Sequence, residues 1–100
     1  MDKHAKRKAQ PILTGLIDYF PNACLYVSEV SLKANEQHNP GQPMHWAKEK
    51  SIGDGNEIVR HLIDRGTLDD DGIRHTGKVA WRALELLERE LLDNLTEKSE

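Results

Sequence analysis

Between Pro21 and about Gln37 the chain carries apolar side chains on two opposite sides of one helix, which restricts how it can fold. Ala23, Val27, Val30 and Ala34 recur at intervals of three and four residues, the period of one helical stripe. At about 100° per residue, Leu25 and Leu32 fall nearly opposite that stripe, with Glu29 and Glu36 beside them. A helix apolar on two sides needs a partner on each of them. Pro21 suits its first position, where a missing amide donor costs nothing.

Two further helices follow from the same period. Ser51 with Asp54 three residues on resembles a capping box, and the helix it opens runs to about Arg65, where Gly66 stops it. Its expected core face is Ile58, Val59, Leu62 and Ile63. The last helix spans roughly His75 to Asn94, with Val79, Ala83, Leu86, Leu87 and Leu91 expected to face inward. Glu85 and Arg89 would form an i,i+4 pair on its exposed side. Trp81 lies away from the main stripe, where packing against another helix or subunit is expected. No segment alternates in the manner of a strand.

The expected fold is therefore all-α, with three main helices. Three helices do not enclose a four-helix bundle but two copies do, so oligomerisation is expected to complete it. The composition agrees: of 100 residues only 37% are apolar and 5% aromatic, a thin supply for a core. Residues 1–10, with Lys3, His4, Lys6, Arg7 and Lys8, read as a basic flexible tail. Residues 11–95 form the single helical domain, beginning with a short turn or helix over 11–20, and residues 96–100 should fray. A net charge of −3 without a dense basic surface argues against a nucleic-acid partner. No stretch is apolar enough for a membrane span or a signal peptide, and Cys24 alone cannot form an internal disulfide. The expected location is the cytoplasm.

The polar residues are unevenly placed. Asp54 and His61 stand two turns apart on one helix face beside Ile58, with Glu57 further round. Such a pair can hold a divalent metal or a phosphate; equally, Asp54 can cap the helix while His61 is a hydrogen-bonded boundary residue. Asp69, Asp70 and Asp71 in succession suit either a hard cation or a turn that caps the next helix. The candidate metal ligands are Glu36, Asp54, His61, Asp70 and Asp71. The loop at 38–50 contains Pro40-Gly41 and Pro43, and a long ordered loop in a small domain tends to serve function. It supplies His38, Asn39, His45, Trp46, Lys48 and Lys50; Arg60, Arg74, His75, Lys78 and Arg82 follow on the later elements. Arginines grip phosphates with two donors, and Trp46 either stacks on a base or plugs the loop onto the protein. There is no GxxxxGK[ST] loop, GxGxxG fingerprint, His-Asp dipeptide or zinc-finger spacing.

A larger pattern joins several of these residues. Asp18-Tyr19-Phe20-Pro21 is followed by HNPGQPMHW from His38 to Trp46, then by Lys50-Ser51, Asp54 and Arg60-His61-Leu62. Asp70-Asp71-Gly72, His75 and the run Val79 to Leu84 complete it. From about Ile17 to Leu91 the chain thereby resembles the small phage and prophage family of dATP/dGTP diphosphohydrolases, related to the all-α (MazG-like) NTP pyrophosphatases. The resemblance implies binding of purine (deoxy)nucleoside triphosphates between helices of an oligomer. It also implies hydrolysis to monophosphate and pyrophosphate with Mg²⁺ or Mn²⁺, in a bacterial host cytoplasm. On that reading Asp54, His61 and Asp71 are catalytic, Asp70 and Glu36 complete the metal set, and Lys48, Lys50, Arg60 and Arg74 hold phosphates. The pyrophosphatases carry a Glu-Glu-x-x-Glu signature. Here Glu36 has no acidic neighbour in its turn, and Asp54 with Glu57 only partly replaces the second acidic pair. The alternative is thus a protein that sequesters a host signalling nucleotide without cleaving it.

Overall fold

A computed structural model describes residues 2–47 and 53–99. Among these residues the structure is all-helical: α1 (Lys3–Lys8), a π-helical turn (Leu13–Ile17), α2 (Pro21–His38), α3 (Asp54–Ile63) and α4 (His75–Ser99). The basic segment expected as a tail forms α1, whose first turn is capped by Asp2 accepting from the Ala5 amide at 2.8 Å. It buries nothing. The π turn is closed by the Asp18 amide donating to the Leu13 carbonyl, five residues back, at 2.8 Å. Pro21 then opens α2 at its first position. α4 runs past the expected end at Asn94 to Ser99, because the segment holds neither Gly nor Pro to break it.

The start of α3 departs from the sequence reading. Gly53, at φ +68°, precedes the helix and Asp54 is its first residue, with no side-chain cap. The Asp54 carboxylate turns inward to arginines of α4; Ser51, the other half of the expected capping box, lies outside the described residues. Between α3 and α4 the acidic turn folds back on itself. The Asp69 amide donates to the Ile73 carbonyl at 2.8 Å and the His75 amide to the Thr67 carbonyl at 3.1 Å. Gly72, at φ +82°, makes the reversal that a side chain would oppose.

α4 is the central element, packing on α3 along one side and α2 along another. Gly77 lets α2 approach closely: a Cβ there would stand 2.6 Å from the Tyr26 ring. The Tyr26 hydroxyl accepts from the Arg74 amide at 2.8 Å, and the Trp81 indole donates to the Ser31 hydroxyl at 2.7 Å. Trp81 thus packs against a neighbouring helix, as its position predicted.

The faces of α3 and α4 correct the sequence reading. Glu85, expected on the outside, is buried, and Arg89 turns inward with it. Ala83, Leu86, Leu87 and Leu91, expected inside, are exposed, as are Val59, Leu62 and Ile63 of α3. Leu25 and Leu32 on the second side of α2 are exposed too. Among the described residues Val30 is the only buried large apolar side chain. The reason is that α4 carries a second regular stripe, His75, Lys78, Arg82, Glu85 and Arg89, and ionic pairing within the chain draws this stripe inward. The apolar stripe is left on the back. The chain exposes 8042 Å², whereas a folded monomer of 11.4 kDa exposes about 5,800 Å².

Candidate functional site

The polar face of α4 forms the floor of a cleft whose walls are α2, the 39–47 loop, α3 and the acidic turn. Its volume of about 760 Å³ falls in the range of small-molecule sites. The loop owes its position to Asn35, buried near the end of α2. Its amide donates to the Gln42 carbonyl at 2.9 Å, while its oxygen accepts from the His45 amide at 3.1 Å and the Asn39 side chain at 3.2 Å. Trp46 anchors the far end. Its indole N–H donates to the Glu85 carboxylate, and the Arg89 guanidinium lies 5.5 Å over its ring.

Three charged groupings surround the cleft. At one end Asp54 sits behind Arg82, 3.1 Å from its Nη1, with Arg89 Nε at 3.8 Å. Glu85 lies 3.5 Å from Arg82. Burial, and then the neighbouring Asp54 carboxylate, push the Glu85 pKa above the ordinary carboxyl value. At the other end Lys78 bridges Asp69 at 2.7 Å and Asp71 at 2.8 Å. Lys78 holds Asp69 down to about 2 and lowers Asp71 as well. Although burial opposes the charge on Lys78, the two aspartates keep its pKa above the ordinary value. In the third grouping Arg60 lies 2.6 Å from Glu57, whose pKa it depresses.

Between these lies a pair of buried histidines. His61, only 3% exposed, and His75 meet Nδ1 to Nδ1 at 2.8 Å. Desolvation, with Arg60 and Lys78 nearby, lowers the pKa of His61 and favours its neutral form. One ligand atom each from His61, Asp69 and His75 lies within 4.8 Å of the others, a possible metal-ligand triad. Mg²⁺, which prefers oxygen ligands, fits two imidazoles and one carboxylate poorly.

Of the residues singled out from sequence, His38, Asn39, His45, Trp46, Arg60, His61, Asp71 and Arg82 line the cleft. His75 lies beneath it on His61. Glu36 is exposed and does not line the cleft, because it projects from another side of α2. Asp70 is exposed at the tip of its turn, and Arg74 is exposed, its amide donating to the Tyr26 hydroxyl; neither lines the cleft. Asp54 is held by arginines instead of facing the cleft. The metal set expected from sequence is therefore not brought together: only His61 of its five members belongs to the triad. Lys48 and Lys50 lie outside the described residues.

Asn35 and Glu85 carry no mark of the site in the sequence; Glu57 and Asp69 stand among its noted acids with no site role assigned, and Lys78 among its nearby cations. Lys78 had a signal. It stands one turn after His75 on the face that Arg82 and Glu85 continue. Asp69 had none, since Asp69, Asp70 and Asp71 are equivalent until the turn folds.

No family model, no curated protein and no solved structure matches the chain. No helix among the described residues is long and apolar enough to cross a membrane.

Proposed function

We propose that the chain binds purine (deoxy)nucleoside triphosphates in this cleft and hydrolyses them to monophosphate and pyrophosphate with the help of a divalent metal, acting as a homo-oligomer. The observation that carries the reading is the charge balance of the cleft: Glu57, Asp69, Asp71 and Glu85 face Arg60, Lys78 and Arg82. A polyphosphate entering a slightly acidic cleft is repelled unless a cation enters with it. His61, Asp69 and His75 would hold that cation, which when bound supplies charge neutralisation and an activated water. Arg60 and Arg82, each paired with carboxylates through one guanidinium nitrogen, would exchange those partners for phosphate oxygens. Trp46 and Trp81 supply aromatic wall for a base, with Trp81 fixed by Ser31 and Trp46 by Glu85. The purine preference rests on the family resemblance of the sequence. Self-association is supported by the excess surface and by the apolar backs of α3 and α4.

A second reading, sequestration without cleavage, is favoured by one feature. Each carboxylate lining the cleft is already engaged: Asp69 and Asp71 by Lys78, Glu57 by Arg60, and Glu85 by Trp46 and Arg82. None stands ready as a base. Incubation with dATP, dGTP, ATP and GTP, in Mn²⁺, Mg²⁺ or EDTA, followed by ion-exchange chromatography, separates the two. Metal-dependent appearance of monophosphate and pyrophosphate is the expected result. Intact nucleotide recovered from the denatured protein would instead establish sequestration, and nucleotide neither bound nor consumed would overturn both.

A further inference from the structure

The contact between His61 and His75 has a geometry that suits more than a hydrogen bond. Two imidazoles meeting Nδ1 to Nδ1 at 2.8 Å hold one proton between them, one nitrogen donating and the other accepting. Nitrogens bound side by side to one metal, with bonds near 2.0–2.1 Å, stand about 3.0–3.4 Å apart. Replacing the shared proton with a cation therefore asks for only a small movement of either ring. Both rings are buried, and the Asp69 carboxylate completes a third side.

We propose that His61, Asp69 and His75 bind a divalent transition metal of the Mn²⁺, Co²⁺, Zn²⁺ series and discriminate against Mg²⁺. The inference deepens the cleft's proposed function by naming its ion, and it is measured without nucleotide. Imidazole nitrogen suits transition metals, whereas Mg²⁺ prefers oxygen ligands in a regular octahedron and gives up water reluctantly. Two neighbours fit the assignment. His61 Nε2 lies 3.3 Å from the donor Arg60 Nη2 and 3.6 Å from the Glu57 carboxylate, so metal on Nδ1 puts the proton on Nε2, where Glu57 is the acceptor and Arg60 keeps its own bond to Glu57 at 2.6 Å. A carboxylate behind a ligating histidine fixes its tautomer and orientation. Lys78 is the second neighbour. Its ammonium lies between Asp69 and Asp71, so an ion that takes Asp69 leaves Lys78 its salt bridge to Asp71. Lys78 thus competes with the metal for one carboxylate without losing both.

Calorimetric titration of the full chain with Zn²⁺, Co²⁺ and Mg²⁺, and metal analysis after dialysis, tests the site. The expected result is one Zn²⁺ or Co²⁺ per chain, with no saturable Mg²⁺ uptake at the same concentrations. Asp69→Asn and His75→Gln should weaken Co²⁺ binding by about tenfold or more. Lys78→Gln should tighten it, an effect that loss of a purely structural residue would not produce. The visible spectrum of Co²⁺ on the wild-type chain reports nitrogen ligation even where a variant folds poorly. Mg²⁺ displacing Zn²⁺ at equal concentration, a folded Asp69→Asn protein binding Co²⁺ unchanged, or a folded Lys78→Gln protein binding it more weakly would each overturn the assignment. Metal bound as described with nucleotide ignored would end the nucleotide reading and leave the site standing. Nucleotide cleavage in Mg²⁺ alone, unaffected by Asp69→Asn, would do the reverse.

Discussion

Glu85 shows how one side chain can be given two incompatible tasks. It accepts from the Trp46 indole and lies near Arg82 and Arg89, contacts that favour its charge. Burial and the Asp54 carboxylate oppose the charge, and the net effect raises its pKa. For an acid whose folded pKa is raised, the stabilising contribution is present below the unfolded value and is lost as pH climbs through the folded value. Glu85→Gln keeps the shape and the acceptor for Trp46 while removing the ionisation. The substitution is expected to change the melting temperature little at pH 4 and to raise it relative to wild type at pH 7.5. A difference that stays constant over this range in a thermal melt series would show that ionisation of Glu85 does not limit stability. The same residue marks a boundary of what could be read beforehand. Its i,i+4 relation to Arg89 was plain in the sequence, but the side of the helix that the pair occupies was not.

At the scale of the element, α4 is decided by two stripes in competition. Ala83, Leu86, Leu87 and Leu91 read as a core face, and His75, Lys78, Arg82, Glu85 and Arg89 as a solvent face. Within the chain the order is inverted, since the polar stripe finds partners on α3, the acidic turn and Trp46. The contact with α2 is set by Gly77. In Gly77→Ala the new methyl group would meet the Tyr26 ring at 2.6 Å and the Val30 side chain at 3.3 Å. The ring can yield only by disturbing its hydroxyl bond to the Arg74 amide. Although alanine favours helix, a net loss of about 1–3 kcal/mol is expected from overpacking. Urea unfolding checks it, and an unchanged or higher midpoint would show that α2 and α4 adjust freely. The spans of α2, α3 and α4 followed from periodicity to within a few residues, whereas α1 formed where a tail was expected, and at the start of α3 a tertiary contact intervened. There Asp54 abandons capping for Arg82.

At the scale of the whole molecule the surface is too large for the mass. The exposed area exceeds that of a compact monomer by about 2,300 Å² per chain, a value suited to an obligate dimer. The radius of gyration of 15.7 Å likewise exceeds the about 13 Å of a compact domain this size. The chain is expected to elute at twice its mass or more in light-scattering chromatography, with helicity that falls on dilution. Leu87→Arg, which charges the middle of the exposed α4 stripe, is expected to shift the population to monomer and lower the melting temperature. A wild-type chain that stays monomeric and fully helical at millimolar concentration would contradict this.

By itself the sequence determined the all-α character, the approximate helix spans and the concentration of chemistry between His38 and Arg82, because local period and turn chemistry act over a few residues. Tertiary structure alone decided which of two stripes on α4 turns inward, which aspartate of three joins the histidines, and that His61 meets His75. Those outcomes depend on pairing between residues distant in the chain, where burial of a charge is permitted only if its partner arrives with it.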